Sequence, residues 1–595
     1  MKHLTAIRNY LYTRYSFYPL FTGFAVASLA SFLTRETVWL ANGGLGTMTS
    51  LSLTMWLLIF AGSALIAFLT PKYLWPPVTY GACFIYAYPM LCANHSNVWM
   101  LTGVLFLMAL LTYFVLRDTK ELFSENNSLM RMRLPYQKPI FAIAIALLSL
   151  VSIYLLALLG IYRYLAFYSP CFDFGIFAQM FESMRTTFLP TTTCERFTEL
   201  SHFAVHLSPI YYLLLPLYCL FPSPITLAFS QALIVGSSVI PLALIARRMN
   251  FSRWQTVAIA ACIAFFPALH GGTSYDIHEN CFLTPLILWL FYFLERNSKL
   301  GTFLMAFSVC LVKEDAAVYL AFIALYLIFS GRKKLLGTGL FVFAVGYFLF
   351  AVSYLAHFGE GAMNWRYQNL MLAGEDSLIA VIVNVFKNPA YAMACSFNAE
   401  KVEFLLQLLV PMAGVALLIK RPSRIILLGP VVLINLLPDY VYQHSIYFQY
   451  NFGIIAILFY LALLNLRDLA DRWRHYLVIC MAVASILSFA ALSSPALSVK
   501  DAYESNANTV AIYNEAIDKV DRNKSVAATT FFVPHLYDCK ELYEVNRDST
   551  AEQILLMMDY KESTELYKYF IRKGYTVAWE SEGIAALLIR AENTN

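Results

Sequence analysis

A chain of 595 residues would ordinarily suggest roughly three or four soluble domains. The composition excludes them, because 59% of the residues are hydrophobic and only 13% are charged, whereas soluble domains carry about 25% charged residues. With a mean hydropathy of +0.61, the sequence predicts a polytopic α-helical membrane protein. It also excludes a disordered chain, a coiled coil, collagen and a small disulfide-rich scaffold.

The N-terminal block, residues 1–120, contains four charge-free apolar runs with little polar sequence between them. Each run has about 20 residues, the length that crosses about 30 Å of hydrocarbon as a helix. We therefore expect this block to be an additional four-helix membrane domain.

The second block, residues 139–493, contains about eleven further apolar runs and brings the expected total to about 15 transmembrane helices. The charge-free stretch 208–245 is too long for one crossing, and prolines at 222 and 224 divide it. We interpret 208–220 as an interfacial or re-entrant helix. Two long connections, residues 163–207 and 357–401, are expected to be ordered and functional, because neither is rich in Gly, Ser or charge repeats.

The basic residues predict the orientation of the chain. With the N-terminus in the cytoplasm, cytoplasmic connections hold 23 Lys and Arg and outer connections hold 8, whereas the outer connections hold 15 of the 21 acids that precede the tail. We expect a multi-pass protein of the plasma (cytoplasmic) membrane, with its polar chemistry on the outer face.

Residues 494–595 have the composition of a soluble domain. The pattern predicts strands over 525–533, 575–579 and 584–589, and helices over 550–559 and 563–573. A small extracytoplasmic α/β domain is therefore expected at the C-terminus.

The first long connection carries Asp173 as a lone carboxylate in an apolar run. Spacing alone leaves two readings, a helix N-cap or a functional carboxylate, because burying an ionised group is costly unless it has a partner or a task. His202 and His206 are four residues apart and would share one helix face, so a metal site is an open alternative. Cys171 and Cys194 in the same connection would pair only in an oxidising compartment.

Two more clusters lie in connections of the same predicted side: Asp276, His278 and Glu279, and then Lys313, Glu314 and Asp315. The second cluster separates two runs too short to span without tilt, which predicts either a recessed polar cavity or a simple surface turn. Arg366 and His444 are further candidates on this face. No phosphate-binding loop or zinc-ligand spacing occurs, so a nucleotide-driven pump is not expected.

Four short strings carry a resemblance to a known family. They are Phe172-Asp173-Phe174-Gly175-Ile176 with Gln179, His206-Leu207-Ser208-Pro209-Ile210, Asp276-Ile277-His278-Glu279-Asn280, and Leu311-Val312-Lys313-Glu314-Asp315. Over residues 139–590 the chain resembles an uncharacterised prokaryotic family of predicted membrane proteins within the GT-C superfamily of membrane glycosyltransferases. The resemblance implies a GT-C-like fold and a polyprenyl-phosphate-linked sugar donor.

The resemblance further implies an inverting sugar transfer at the outer face, with Asp173 as the general base on the acceptor. The leaving phosphate would need positive charge, for which the candidates are Lys313 first and then Arg366, His206 and His278. Asp276, Glu279 and Glu314 would orient sugar hydroxyls or bind a divalent cation, and no other cofactor is expected. The set of substrate-binding candidates is completed by Gln179, His202, Asp315 and His444.

Phe174, where some relatives carry a second acid, departs from the superfamily pattern. The expected partners are the lipid-linked donor, membrane lipid and a glycan, lipid or protein acceptor, and no nucleic acid is expected. Two other functions stay open at this point, a transporter or flippase with an outward-facing polar cavity and a non-catalytic envelope scaffold.

Overall fold

The computed structural model describes residues 15–39, 45–94, 97–124, 137–361, 363–581 and 583–590. The chain is predominantly helical. Its α-helices are α1 (Phe17–Leu33), α2 (Leu53–Leu69), α3 (Trp75–Ala93), α4 (Val98–Ser124), α5 (Gln137–Leu165), α6 (Ile176–Thr187), α7 (Leu215–Leu220), α8 (Pro224–Gly236), α9 (Val239–Arg248), α10 (Arg253–Ala264), α11 (Pro267–Ser274), α12 (Leu283–Arg296), α13 (Lys299–Cys310), α14 (Ala316–Phe329), α15 (Lys334–Phe358), α16 (Leu378–Lys387), α17 (Pro389–Ser396), α18 (Ala399–Leu409), α19 (Phe452–Arg467), α20 (Asp471–Leu492), α21 (Val499–Ser505), α22 (Ala507–Asp518) and α23 (Ser563–Arg572).

The strands form one hairpin near the N-terminus, one short pair in the first long connection and one C-terminal sheet. They are β1 (Arg35–Trp39), β2 (Leu45–Thr49), β3 (Thr191–Thr192), β4 (Leu200–Ser201), β5 (Val526–Ala528), β6 (Leu542–Glu544), β7 (Gln553–Met557), β8 (Tyr575–Ser581) and β9 (Ala585–Arg590).

The polytopic helical architecture is confirmed, but the count of about 15 spans is not. Among the described residues, seven helices are long and apolar enough to cross a membrane, or eight if the bent pair α16 and α17 is one span. The charge-free apolar stretch 404–419 shows one reason: α18 ends at Leu409, Pro411 cannot continue a regular helix, and Gly414 adopts a positive φ of 66°. Several apolar runs are thus helices of 10–17 residues. The segment 208–220 contains only a short turn and the six-residue α7.

The chain divides into two compact units. The first comprises the described parts of Met1–Ile143 together with Val410–Ala413 and Leu469–Pro495. In it, α20 packs with α3 and α4 through a cluster that includes Leu91, Met108 and Leu487. The expected boundaries at residues 120, 139 and 494 stay a prediction.

The second unit comprises Ala144–Leu409, Gly414–Asp468 and Ala496–Asn595. Its central helix, α19, is buried along almost its whole length. Such all-round burial is typical of a helix surrounded by other helices. Polar connections between the surrounding helices, at residues 171–175, 275–282 and 311–315, belong to this same unit and carry most of the candidate residues.

The C-terminal α/β domain is confirmed as a five-stranded sheet in the order β6-β5-β7-β9-β8. Strands β5, β6 and β7 are parallel, whereas β9 is antiparallel to both of its neighbours. The expected helix over 550–559 is wrong, because that segment holds the central strand β7. Leu555 of β7 packs on one face and Ile554 on the other. A strand buried on both faces shows no alternation, so its pattern cannot be told from a buried helix.

Candidate functional site

A cavity of about 570 Å³ gathers most of the candidate residues of the second unit. Its walls come from the first long connection, the segments around residues 278 and 313, and the segments 363–366 and 440–450. The lining residues are Phe172, Asp173, Ile176, Phe177, Glu195, Arg196, His202, Val205, His206, Tyr275, His278, Glu279, Lys313, Met363, Trp365, Arg366, Tyr440, Tyr442, Phe448, Gln449 and Tyr450. Asp173, His206, His278 and Lys313, which are far apart in the sequence, therefore line one space.

Asp173 lies in a tight turn, Cys171–Gly175, directly before α6. Its backbone has φ 78° and ψ −75°, close to the rare and strained form of the γ-turn. A non-glycine residue in such a region costs about 1–3 kcal/mol and persists only where its surroundings impose it. The cap of α6 is Gly175, with no side-chain hydrogen bond, so Asp173 is not the helix N-cap.

The carboxylate of Asp173 is paired with His278. The His278 Nε2 atom lies 3.2 Å from Asp173 Oδ1, and the Asp173 side chain is 24% exposed. Burial opposes the ionisation of Asp173, but the charge of His278 and the hydrogen bonds from His278 and Tyr275 hold the pKa of this carboxyl below its ordinary value. Burial likewise favours a neutral imidazole, yet Asp173 raises the pKa of His278 above 6.5. Both shifts favour the ionised carboxylate beside a protonated imidazole.

Lys313 forms a second, deeper ion pair. Its Nζ atom lies 2.8 Å from Glu279 Oε1, and the two side chains are only 3% and 1% exposed. Tyr211 donates a further hydrogen bond of 2.8 Å to Glu279. Burial alone would raise the pKa of Glu279, but Lys313 and the nearby histidines lower it. Lys313 is thus charged, and its charge is compensated within the protein.

Two histidines of the cavity are each held by a carboxylate. His202 Nδ1 lies 3.0 Å from Glu195, and His206 Nδ1 lies 2.9 Å from Glu314. The two rings are 5.9 Å apart between centroids. His202 heads a short 3₁₀ turn rather than an α-helix. Within the described ranges no group of three or more His, Cys, Asp or Glu side chains is arranged to hold a metal ion.

Arg366 differs from Lys313 because, in the described part of the chain, it forms no ion pair within 4 Å, and the buried Asp315 interacts with its charge only at longer range. Its guanidinium lies 5.6, 5.0 and 5.3 Å from the ring centroids of Trp365, Tyr440 and Tyr450. Its Nε is buried without a hydrogen-bond partner, and Nη2 contacts the sulfur of Met363. The geometry is that of a cation held by aromatic faces, with one buried donor left without a partner.

The other candidates from the sequence lie outside this cavity. Asp276 is buried against Ser169 at 2.7 Å and Arg163 at 3.6 Å. Asp315 is buried, and burial raises its pKa to about 6. His444 lies 3.5 Å from the exposed Glu400.

Gln179 also lies away from the cavity, although the resemblance placed it near Asp173. Its amide is bonded to Thr192 and Thr193 and to backbone carbonyls of Cys539 and Lys540. Glu314 does not line the cavity either and acts on it through His206.

Sequence reasoning missed the aromatic wall, which includes Tyr275, Trp365, Tyr440 and Tyr450. Only Tyr275 carried a signal, because it adjoins the Asp276–Glu279 cluster; the others do not stand out in a chain with 16% aromatic residues. Cys171 and Cys194 are both buried free thiols. They are neighbours in the structure, since a hydrogen bond with Cys194, together with burial, raises the pKa of the Cys171 thiol.

A family model for predicted membrane proteins, DUF2079, matches residues 163–573. The chain belongs to this family, which confirms the family expected from the four strings. Two solved structures are similar to this chain in fold. The crystal structure of ArnT from Cupriavidus metallidurans bound to undecaprenyl phosphate is 12% identical, with a TM-score of 0.48 over 77% of this chain and 99% of that chain. The apo structure of the same protein is 10% identical, with a TM-score of 0.38 over 75% and 97%. No curated protein matches the sequence.

Proposed function

We propose that this protein is a GT-C-type membrane glycosyltransferase that moves a sugar, with inversion, from a polyprenyl-phosphate carrier to an acceptor hydroxyl at the outer face. One observation carries the proposal: Asp173 is held in a strained turn at the wall of a large cavity that also contains Arg366, an arginine whose buried Nε has no hydrogen-bond partner. A carboxylate and a cation in one cavity match the two ends of such a reaction, the acceptor proton and the phosphate leaving group.

Asp173 is the general base in this mechanism. The acceptor hydroxyl attacks the anomeric carbon of the donor, the bond from that carbon to the phosphate oxygen breaks, and the hydroxyl proton passes to Asp173. His278 positions the carboxylate, and Tyr275 supports it with a hydrogen bond. Because His278 keeps Asp173 ionised at neutral pH, no proton has to leave this residue before a turnover begins.

Arg366 is the residue we assign to the phosphate. Lys313 was the first candidate, but Glu279 at 2.8 Å already compensates its charge. An arginine presents a planar set of donors that matches phosphate oxygens, and Arg366 has a donor without a partner. The three aromatic rings around it hold the guanidinium in place through cation–π contacts.

The sugar then lies between the aromatic wall and the histidines. Trp365, Tyr440 and Tyr450 offer flat faces, while His202 and His206 offer ring nitrogens whose orientation Glu195 and Glu314 fix. Carboxylate-oriented imidazoles are suited to hydrogen bonds with hydroxyl groups of defined direction. The Lys313–Glu279 pair holds the floor of the cavity in one arrangement.

The test uses the full-length protein in proteoliposomes with a panel of synthetic short-chain polyprenyl-phosphate hexoses carrying a tritiated sugar. The expected result is transfer of the label from the lipid to an added oligosaccharide acceptor, or by slower hydrolysis to water, with equimolar release of polyprenyl phosphate. Movement of intact labelled lipid across the bilayer without cleavage would instead identify a flippase. If the protein neither cleaves nor moves any of the donors, a non-catalytic envelope scaffold is the remaining function.

A further inference from the structure

A second cavity, of about 490 Å³, lies in the same unit and is lined in part by α6. Its lining contains no aliphatic side chain and no phenylalanine, although 59% of the whole chain is hydrophobic. The lining residues are Gln179, Glu182, Ser183, Thr186, Thr187, Thr191, Thr192, Thr193, Glu199, Tyr537, Asp538, Cys539, Lys540, Glu541 and Tyr543. Ligand cavities in proteins are usually mostly apolar, so this one is unsuited to a lipid chain.

The walls of this second cavity are fixed by hydrogen bonds. Thr193 both donates to and accepts from the backbone of Leu542, at 2.5 and 3.1 Å. The buried Gln179 joins the same wall to the carbonyls of Cys539 and Lys540. The hydroxyl oxygens of Ser183 and Thr191 lie 2.6 Å apart, within hydrogen-bond distance. A rigid set of hydroxyl and amide groups can bind a ligand without a large ordering cost.

The charge of this lining is negative. Glu182 is paired with Arg185 at 3.0 Å, and Asp538 with Arg522 at 3.0 Å. Among the described residues, Glu199 and Glu541 have no ion-pair partner, and Lys540 is the sole cation of the lining. Such a lining disfavours phosphate and other anions. Hydroxyls, which both donate and accept, and carboxylates, which accept, together match a ligand with many hydroxyl groups.

The two cavities share two segments of chain. Helix α6 contributes Phe177 to the first and Ser183 to the second, and these residues are about 9 Å apart along the helix axis at 1.5 Å per residue. The connection after it contributes Glu195 to the first and Glu199 to the second. A ligand seated in the second cavity therefore lies close beside the site that holds Asp173.

From these contacts we propose that the second cavity binds the distal sugars of an oligosaccharide acceptor that is uncharged or carries amino groups. The role of this cavity as an acceptor site rests on the proposed sugar transfer, whereas the binding of an oligosaccharide to it does not depend on that transfer. The donor occupies the first cavity, with its phosphate at Arg366, and the acceptor reaches Asp173 from the side of α6.

The experiment measures binding of three trisaccharides to the full-length protein in nanodiscs by titration calorimetry. The probes are maltotriose, which is neutral, the glucosamine trimer, which is cationic, and trigalacturonate, which is anionic. We expect the first two to bind and trigalacturonate to bind about tenfold more weakly or not at all, a difference worth one or two hydrogen bonds. The double variant Glu199→Gln and Glu541→Gln removes both unpaired carboxylates. It should reduce the difference in affinity between trigalacturonate and the other two trisaccharides.

A blocking variant assigns the binding to this cavity. Thr186→Trp fills it from an exposed position, and Thr564→Trp, on the exposed surface of α23, is the matched control. Maltotriose affinity should fall about tenfold in the first variant and stay unchanged in the second. Equal affinity in Thr186→Trp and wild type, no binding by any probe, or preference for trigalacturonate would each overturn the inference.

The same titration on Asp173→Asn separates this inference from the proposed function. Binding that persists in Asp173→Asn and is lost in Thr186→Trp supports the second cavity even if no donor is ever cleaved. Cleavage of donor by a protein in which Thr186→Trp changes nothing supports sugar transfer and rejects the second cavity as its acceptor site.

Discussion

Replacing Asp173 with asparagine removes the proposed base while keeping the shape of its side chain. Asparagine also tolerates a positive φ better than most residues, so the strained turn at φ 78° is retained. The substitution therefore separates chemistry from folding. Turnover should fall by about 10²- to 10⁴-fold, the usual contribution of a general base, which corresponds to about 3–5 kcal/mol in the activation free energy.

The cost in stability should be smaller. The variant removes an ion pair of 3.2 Å, but the freed His278 can lose its proton, because its ordinary pKa of 6.5 is close to neutrality. What remains is the loss of a buried hydrogen bond, worth about 1–3 kcal/mol. We expect a modest fall in the thermal unfolding temperature and intact expression.

The assay is single-turnover cleavage of the tritiated donor panel, with unfolding temperature measured on the same preparation. Asp548→Asn, an exposed carboxylate of the C-terminal domain, is the matched control and should be unaffected. Wild-type turnover in a folded Asp173→Asn protein would refute the role of Asp173 as base.

Five further substitutions test the surroundings of the base. Arg366→Gln should raise the KM for the donor more than it lowers kcat, since it removes a phosphate contact, and Arg366→Lys should recover only part of the loss; steady-state kinetics measure both. Lys313→Met should destabilise the fold by about 3–5 kcal/mol, because Glu279, which is 1% exposed, is then left charged without its ion-pair partner. Adding Glu279→Leu should restore most of the lost stability, as measured by thermal unfolding. Because the pKa of His278 is raised and that of Asp173 is lowered, their pair stabilises the fold fully between about pH 3.8 and 6.5. This stability is lost as the pH rises through the raised pKa of His278 or falls through the lowered pKa of Asp173. The substitution His278→Gln should therefore flatten the pH dependence of the unfolding temperature over this range.

Each of these expectations has a contrary result. A purely catalytic defect in Arg366→Gln, with unchanged KM, would place the phosphate elsewhere. An unchanged unfolding temperature in Lys313→Met would mean that Glu279 is protonated or hydrated rather than ion-paired. A pH profile of unfolding that is the same with and without His278 would show that other groups dominate the titration.

The sequence allowed the prediction that Asp173, His206, His278 and Lys313 lie around one polar space. Isolated charges in an apolar chain avoid lipid and face a cavity or a partner, so short polar strings between apolar runs predict a shared polar space. Which charges compensate each other was not foreseeable. The Lys313–Glu279 pair joins residues 34 positions apart, and only the fold determines that Arg366 is left without such a partner.

The errors have physical reasons of the same type. Strand β7 lies between two apolar layers, so its run of apolar residues shows no period of two. The count of about 15 spans is not confirmed, because it treated each apolar run as one crossing, whereas burial within the protein satisfies short helices as well as lipid does. Gln179 was assigned to the first site through the family resemblance, yet its amide is bonded to Thr192, Thr193 and the backbone carbonyls of Cys539 and Lys540 instead.

The C-terminal sheet has a consequence for any shortened version of this protein. One face of the sheet packs on Phe167, Cys171 and Ile176, the residues that flank the turn of Asp173, and a Cβ atom on Gly175 would lie 2.9 Å from Val533. His535 stacks between the rings of Tyr164 and Phe167, at 4.1 and 3.9 Å. The C-terminal domain therefore holds the turn in its conformation. A chain that ends at residue 493 should lose the geometry of Asp173 even if every membrane helix still inserts.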